Sequence, residues 1–112
     1  DKEKKSYAKL LSGKYEQIQS NKVDTKVLLD ADKKYDDSIK KRNQLLKEQE
    51  KYKKGSKQYN NLQKEINSLD KYIKKHEKDN LTADERNTYQ EYYNQLLKDE
   101  VSIRNEIEDS FR

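Results

Sequence analysis

Apolar positions recur at helical spacing along the whole chain, and no proline interrupts them, so the pattern predicts helices from end to end. Over residues 3–20, Tyr7, Leu11, Tyr15 and Ile18 follow at steps of 4, 4 and 3, with Leu10 broadening the stripe. Gly13 lies inside this first helix and costs it about 1 kcal/mol relative to alanine. Asn21 and Lys22 lead to Val23-Asp24-Thr25, where Asp24 suits an N-cap and Val23 and Leu28 occupy the two positions of a hydrophobic staple. A restart is the economical reading, with a second helix over residues 25–54. It carries Leu28, Ala31, Tyr35, Ile39, Leu45, Leu46 and Tyr52 on one face, with polar Arg42 and Gln49 at intervening seam positions.

Gly55-Ser56 is the one obvious breaker pair in the middle of the chain, and Gly55 just beyond a helix C-terminus fits the usual preference. A third helix over residues 57–78 places Tyr59, Leu62, Ile66, Leu69, Ile73 and His76 at steps of 3, 4, 3, 4 and 3, the cleanest heptad alternation in the chain. Asp79-Asn80-Leu81 interrupts it. Thr82-Ala83-Asp84-Glu85 then reads as a capping box opening a fourth helix over residues 83–111, whose stripe is Tyr89, Tyr93, Leu96, Ile103 and Ile107. Short connections between these helices favour antiparallel neighbours. The fold class expected is therefore all-α: a single domain over residues 1–112, an elongated antiparallel up-and-down bundle of four helices, arranged as two helical hairpins with coiled-coil-like packing.

Composition sharpens this picture. Of 112 residues 43% are charged, yet 26 basic and 22 acidic side chains leave a formal net charge of only +4. Opposite charges at i and i+4, acid first, recur as Asp30 with Lys34, Asp36 with Lys40, Asp37 with Lys41, and Glu50 with Lys54, and each pair adds about 0.2–0.5 kcal/mol to a helix. They argue against simple disorder. The apolar set is small, 21 Leu, Ile, Val and Phe side chains with nine Tyr, enough for a narrow seam and too few for the centre of a wide globule. Tyr suits a thin core because its ring tolerates one wet face. No apolar run exceeds the three residues Val27 to Leu29, far short of the roughly 20 that a membrane-spanning helix needs.

The densest basic cluster is Lys40, Lys41, Arg42, Lys47, Lys51, Lys53, Lys54 and Lys57. Cations gathered towards a helix C-terminus, where the macrodipole favours them, account for it, and an electrostatic contact surface is the functional alternative. Residues 1–56 carry 16 basic and 10 acidic groups and residues 57–112 carry 10 and 12, so the first half is the more electropositive. Carboxylates interleaved with the lysines make nucleic acid an improbable partner.

Candidate chemistry is sparse. Without cysteine, with two glycines and one histidine, the chain lacks the parts for a disulfide scaffold, a thiolate or multi-histidine metal site, or a glycine-rich phosphate loop. His76 falls in the last turn of the third helix, where a structural role explains it. Asp30, Asp32, Asp36 and Asp37 lack the central glycine and twelfth-position Glu of a calcium loop. Asn80-Leu81-Thr82 matches a glycosylation acceptor, but Thr82 is better explained as a cap. The expectation is no catalytic residue, no metal and no cofactor, and no small-molecule substrate. Tyr92, Leu97 and Val101 flank the main stripe of the fourth helix and are the candidate partner-binding residues.

Residues 31–62, ADKKYDDSIKKRNQLLKEQEKYKKGSKQYNNL, resemble the middle portion of the YkyA-like family of cell-wall-binding lipoproteins of Gram-positive bacteria. The resemblance rests on Ala31-Asp32, on Glu50 followed by Tyr52-Lys53-Lys54, and on Asn61-Leu62, and it covers roughly a third of the chain. It implies a helical bundle outside the cytoplasmic membrane, tethered by lipid on a cysteine upstream of Asp1, with no catalytic residues to carry over. The expectations that follow are a non-enzymatic helical binding or structural module, a bacterial surface ectodomain meeting a protein or cell-envelope component, with membrane contact only through an anchor outside this chain. A monomer or weak dimer is expected. A coiled-coil segment of an intracellular or phage assembly protein, which would place the chain in the cytoplasm, is the alternative, and a weak nucleic-acid binder through Lys40 to Lys57 the third.

Overall fold

A computed structural model describes residues 2–111. Among them are three α-helices, α1 (Lys2–Gln49), α2 (Lys57–Lys75) and α3 (Ala83–Ser110), with a short 3₁₀ turn, Glu77–Asp79, after α2. This corrects the expectation of a four-helix bundle built from two hairpins. The first two expected helices are one, and α1 runs for 48 residues straight through the anticipated restart.

The residues read as a cap serve the helix instead. Thr25 donates its hydroxyl to the carbonyl of Asn21 at 2.7 Å, and Gln17 Nε2 donates to Asn21 Oδ1 at 3.0 Å, so both polar groups bond along the helix without ending it. Val23 and Leu28 stay exposed at 60% and 44%, and no staple forms. Asp24 and Thr25 are tolerable helix-interior residues, costing a few tenths of a kcal/mol each, and neither forces a break as a proline would.

The inner face of α1 keeps heptad spacing across this point. Leu11, Tyr15, Ile18, Lys22, Thr25, Leu29 and Asp32 follow at steps of 4, 3, 4, 3, 4 and 3, and all are buried or half-buried. The stripe continues through Tyr35, Ile39, Arg42, Leu45 and Gln49. Only five hydrophobic side chains in the described residues are fully inside: Leu11, Tyr35, Leu45, Ile66 and Leu96. Thr25, Asp32 and Gln49 are buried with them.

The chain divides into two compact units, each drawing on part of α1. Unit 1 comprises Asp1–Leu29 with Ala83–Arg112, and unit 2 comprises Asp30–Thr82. In unit 1, Lys22 meets Glu100 while Ile18 shares a groove with Ile103, so α1 and α3 run antiparallel. The inner face of α3 is Tyr89, Tyr93, Leu96, Glu100, Ile103, Ile107 and Ser110, which is the expected stripe with a carboxylate at its centre.

In unit 2, Gln49 meets Gln63 and Arg42 meets Asp70, so α2 lies antiparallel to the C-terminal part of α1. Tyr59, Leu62, Leu69, Ile73 and His76 are half-buried around the buried Ile66, in the expected register. The end of α1 comes at Gln49, five residues before the expected Lys54, and the residues after it tighten into i to i−3 bonds, Lys51 N–H to Glu48 at 3.1 Å and Tyr52 N–H to Gln49 at 3.1 Å. Gly55 takes the left-handed conformation, φ 89°, and Ser56 caps α2 by accepting the Tyr59 N–H at 3.2 Å.

Candidate functional site

Lys22, Thr25, Asp32, Arg42 and Gln49, the polar residues on the inner stripe of α1, each have a hydrogen-bond partner. In unit 1 the Lys22 ammonium donates to Glu100 Oε2 at 2.6 Å, and Arg104 Nη2 donates to the other carboxylate oxygen at 2.8 Å. The Lys22 hydrogen bond, aided by the approach of the Gln19 amide, holds the Glu100 carboxyl below its ordinary range, while desolvation opposes it. The same bond raises Lys22 above its ordinary value, again against desolvation. Gln19 Nε2 is buried without reaching hydrogen-bond geometry to any group, so its effect on Glu100 is that of a nearby dipole.

In unit 2 Arg42 Nε pairs with Asp70, and the buried Gln49 amide donates to Gln63 Oε1 at 2.9 Å and to the Tyr59 carbonyl at 3.2 Å. The Asp32 carboxylate accepts the Leu81 N–H at 2.9 Å. His76 ends α2: its backbone N–H reaches the Tyr72 and Ile73 carbonyls, its ring stacks on Tyr72 with centroids 4.1 Å apart, and Nδ1 pairs with Asp79 at 2.9 Å. These groups hold helices together. They do not converge on one enclosed space; the concavities along the helices are open grooves, such as the one of about 390 Å³ between Lys14, Gln17 and Ile18 of α1 and Asp99, Ser102 and Ile103 of α3. Among the described residues no three His, Asp or Glu side chains lie close enough to hold a metal ion, and no helix is long and apolar enough to cross a membrane.

The basic cluster is split by the structure. Arg42 lies in the seam, and Lys40 pairs with Asp36 at 2.9 Å on the surface of α1. Lys41 is exposed beside an open groove with Leu69. Lys51, Lys53 and Lys54 are exposed on the turn joining α1 to α2, with Lys47 in the last turn of α1 and Lys57 at the start of α2; the same turn carries Tyr52, 39% exposed. The expected pairing of Glu50 with Lys54 needs a helix through both, and α1 stops short of it, so none of these five lysines makes an ion pair among the described residues.

Tyr92, Leu97 and Val101 are exposed at 45%, 38% and 52%. They do not form one face. A step of five residues turns about 140° around a helix, so Tyr92 lies on one flank of the α3 stripe while Leu97 and Val101, one turn apart, share the other. Glu100 escapes the sequence pattern, because an interruption of the apolar stripe of α3 is its one signal. Val23 is an exposed residue of α1 rather than half of a staple. Compared with family models, curated proteins and solved structures, the chain matches none.

Proposed function

We propose that the chain is a non-enzymatic helical binding or structural module, the ectodomain of a bacterial surface lipoprotein that meets an anionic component of the cell envelope. The lysine-rich turn between α1 and α2 carries this reading. Five exposed lysines without ion-pair partners among the described residues lie within eleven positions of chain at and beside this turn, which also carries the exposed Tyr52, whereas Lys22 and Arg42 in the seams are paired between helices. Such a surface attracts phosphate-bearing polymers through counterion release and long-range charge. The charge of unit 2 supports it: 15 basic against 10 acidic side chains, with unit 1 at 11 against 12. The likeness of residues 31–62 to YkyA-like lipoproteins points the same way.

The test is cosedimentation with purified Gram-positive cell walls, intact or stripped of their phosphodiester polymers. Binding to intact walls is expected, weakened by stripping and by Lys51→Glu with Lys53→Glu and Lys54→Glu. Absence of binding to intact walls overturns the reading. A segment of an intracellular or phage assembly is the second reading, favoured by the 48-residue α1 and its heptad seam. The flanking coding sequence separates the two: a signal peptide ending in a lipidated cysteine supports the first, continued heptads the second. Tight binding to duplex DNA at about 150 mM salt would instead favour the nucleic-acid reading.

A further inference from the structure

Unit 1 keeps much of its apolar surface in water. Two hydrophobic side chains, Leu11 and Leu96, are fully buried there, while nine large hydrophobic ones remain substantially exposed, against one, Tyr52, in unit 2. Three of the nine share a flank. Val23, Leu97 and Val101 each follow a seam residue by one position: Lys22, Leu96 and Glu100. Antiparallel helices are related by a two-fold axis perpendicular to the plane of the pair, so the same one-residue step carries all three to the same side.

Their levels along the axis also match. Lys22 bonds Glu100, which places Val23 along the axis between Leu97 and Val101, residues one turn apart. We propose that unit 1 docks against a second copy of this chain on this flank, about a two-fold axis parallel to the helices. That operation lays α1 of one copy along α3 of the other, antiparallel and at the same level. Val23 of each copy enters the gap between Leu97 and Val101 of its partner, the relation of a knob to a hole.

Charge and area agree with a self-partner. Residues 1–29 carry seven basic and four acidic groups, and residues 83–112 carry four basic and eight acidic, so the operation sets a positive helix on a negative one in both halves of the interface. The chain exposes 8906 Å². A compact protein of 13.5 kDa exposes about 6,500 Å². The difference exceeds the roughly 1,200–2,000 Å² that a standard specific interface buries. The resulting four-helix cross-section is made between two chains, with every neighbour antiparallel, and it is independent of what the lysine-rich turn contacts.

Sedimentation equilibrium tests the proposal at micromolar concentration. The wild-type chain should give twice 13.5 kDa, and Val23→Glu with Val101→Glu should give the single-chain mass with its far-ultraviolet helical signal retained. The chain has no cysteine, which allows a second test that perturbs the fold little. Val23→Cys and Val101→Cys chains, mixed and oxidised, should join to each other, and neither should join to itself. A wild-type monomer, a dimer unchanged by the double glutamate variant, or disulfides formed by either cysteine variant with itself in preference to the mixture overturns it.

Discussion

The Asp32 carboxylate on α1, 2% exposed, accepts the backbone N–H of Leu81 at 2.9 Å, joining residues 49 positions apart. Leu81 stands in the non-helical stretch just before α3. A buried acceptor satisfies there a backbone donor that no helix employs. Asp32→Ala removes the acceptor and leaves the N–H without it, which should cost about 1–3 kcal/mol. Asp32→Asn keeps an oxygen in place and should cost less. Urea denaturation followed by circular dichroism checks the order of the two variants, and equal stability of wild type and Asp32→Ala would show that the bond contributes nothing.

The Lys22–Glu100 pair makes stability depend on pH at both extremes. Glu100 is held below its ordinary value of 4.5, so its contribution is fully present above that pH and is lost as pH falls through the lower folded value. Lys22 is raised above 10.5, so its contribution is present below that pH and is lost as pH rises through the higher folded value. Melting temperatures of wild type and Glu100→Gln should therefore differ most between these limits and converge in acid. A gap that stays constant from neutral pH to pH 3 would exclude the linkage.

The two glycines should respond to alanine with opposite signs. Gly13 lies in the helical interior of α1 and an added Cβ meets nothing within 4 Å, so Gly13→Ala should stabilise by about 0.5–1 kcal/mol. Gly55 sits at φ +89°, where a side chain strains the backbone whatever the space, and Gly55→Ala should destabilise by about 1–2 kcal/mol. Paired thermal melts of the two variants decide the matter.

Ile66 is the most buried side chain of α2, 2% exposed. With so few hydrophobic residues inside, there is little else to take up its loss. Ile66→Ala should cost about 2–4 kcal/mol, and Val27→Ala, at a position 61% exposed, should change stability by less than about 0.5 kcal/mol. Similar losses at the two sites would mean that α2 packs with a different face inward.

The heptad of α2 was legible from Tyr59 to His76 because five of its six positions are aliphatic or tyrosine, and burial of such side chains settles which face turns inward. Gly55-Ser56 was legible for a local reason: a left-handed φ and a serine cap are properties of those residues and their immediate neighbours. The stripe of α3 could be read for the same reason as that of α2. Tyr89 to Ile107 keep its phase, although Glu100 leaves a gap that hydrophobicity alone cannot fill.

The continuity of α1 could not be read in this way. At Lys22, Thr25 and Asp32 the inner stripe turns polar, so an apolar pattern loses its phase just where Val23-Asp24-Thr25 offers a plausible cap. A cap motif states what a residue can do at a helix end and does not create the end. The deciding contacts come from elsewhere in the chain: Glu100 lies 78 positions from Lys22, Leu81 lies 49 from Asp32, and Asp70 lies 28 from Arg42. The sequence by itself determined that the chain is helical, where it turns after α1 and before α3, and which face of α2 is apolar. Only the tertiary structure decided that polar seam positions are inside, because burying a charge is favourable only when its partner is already in place.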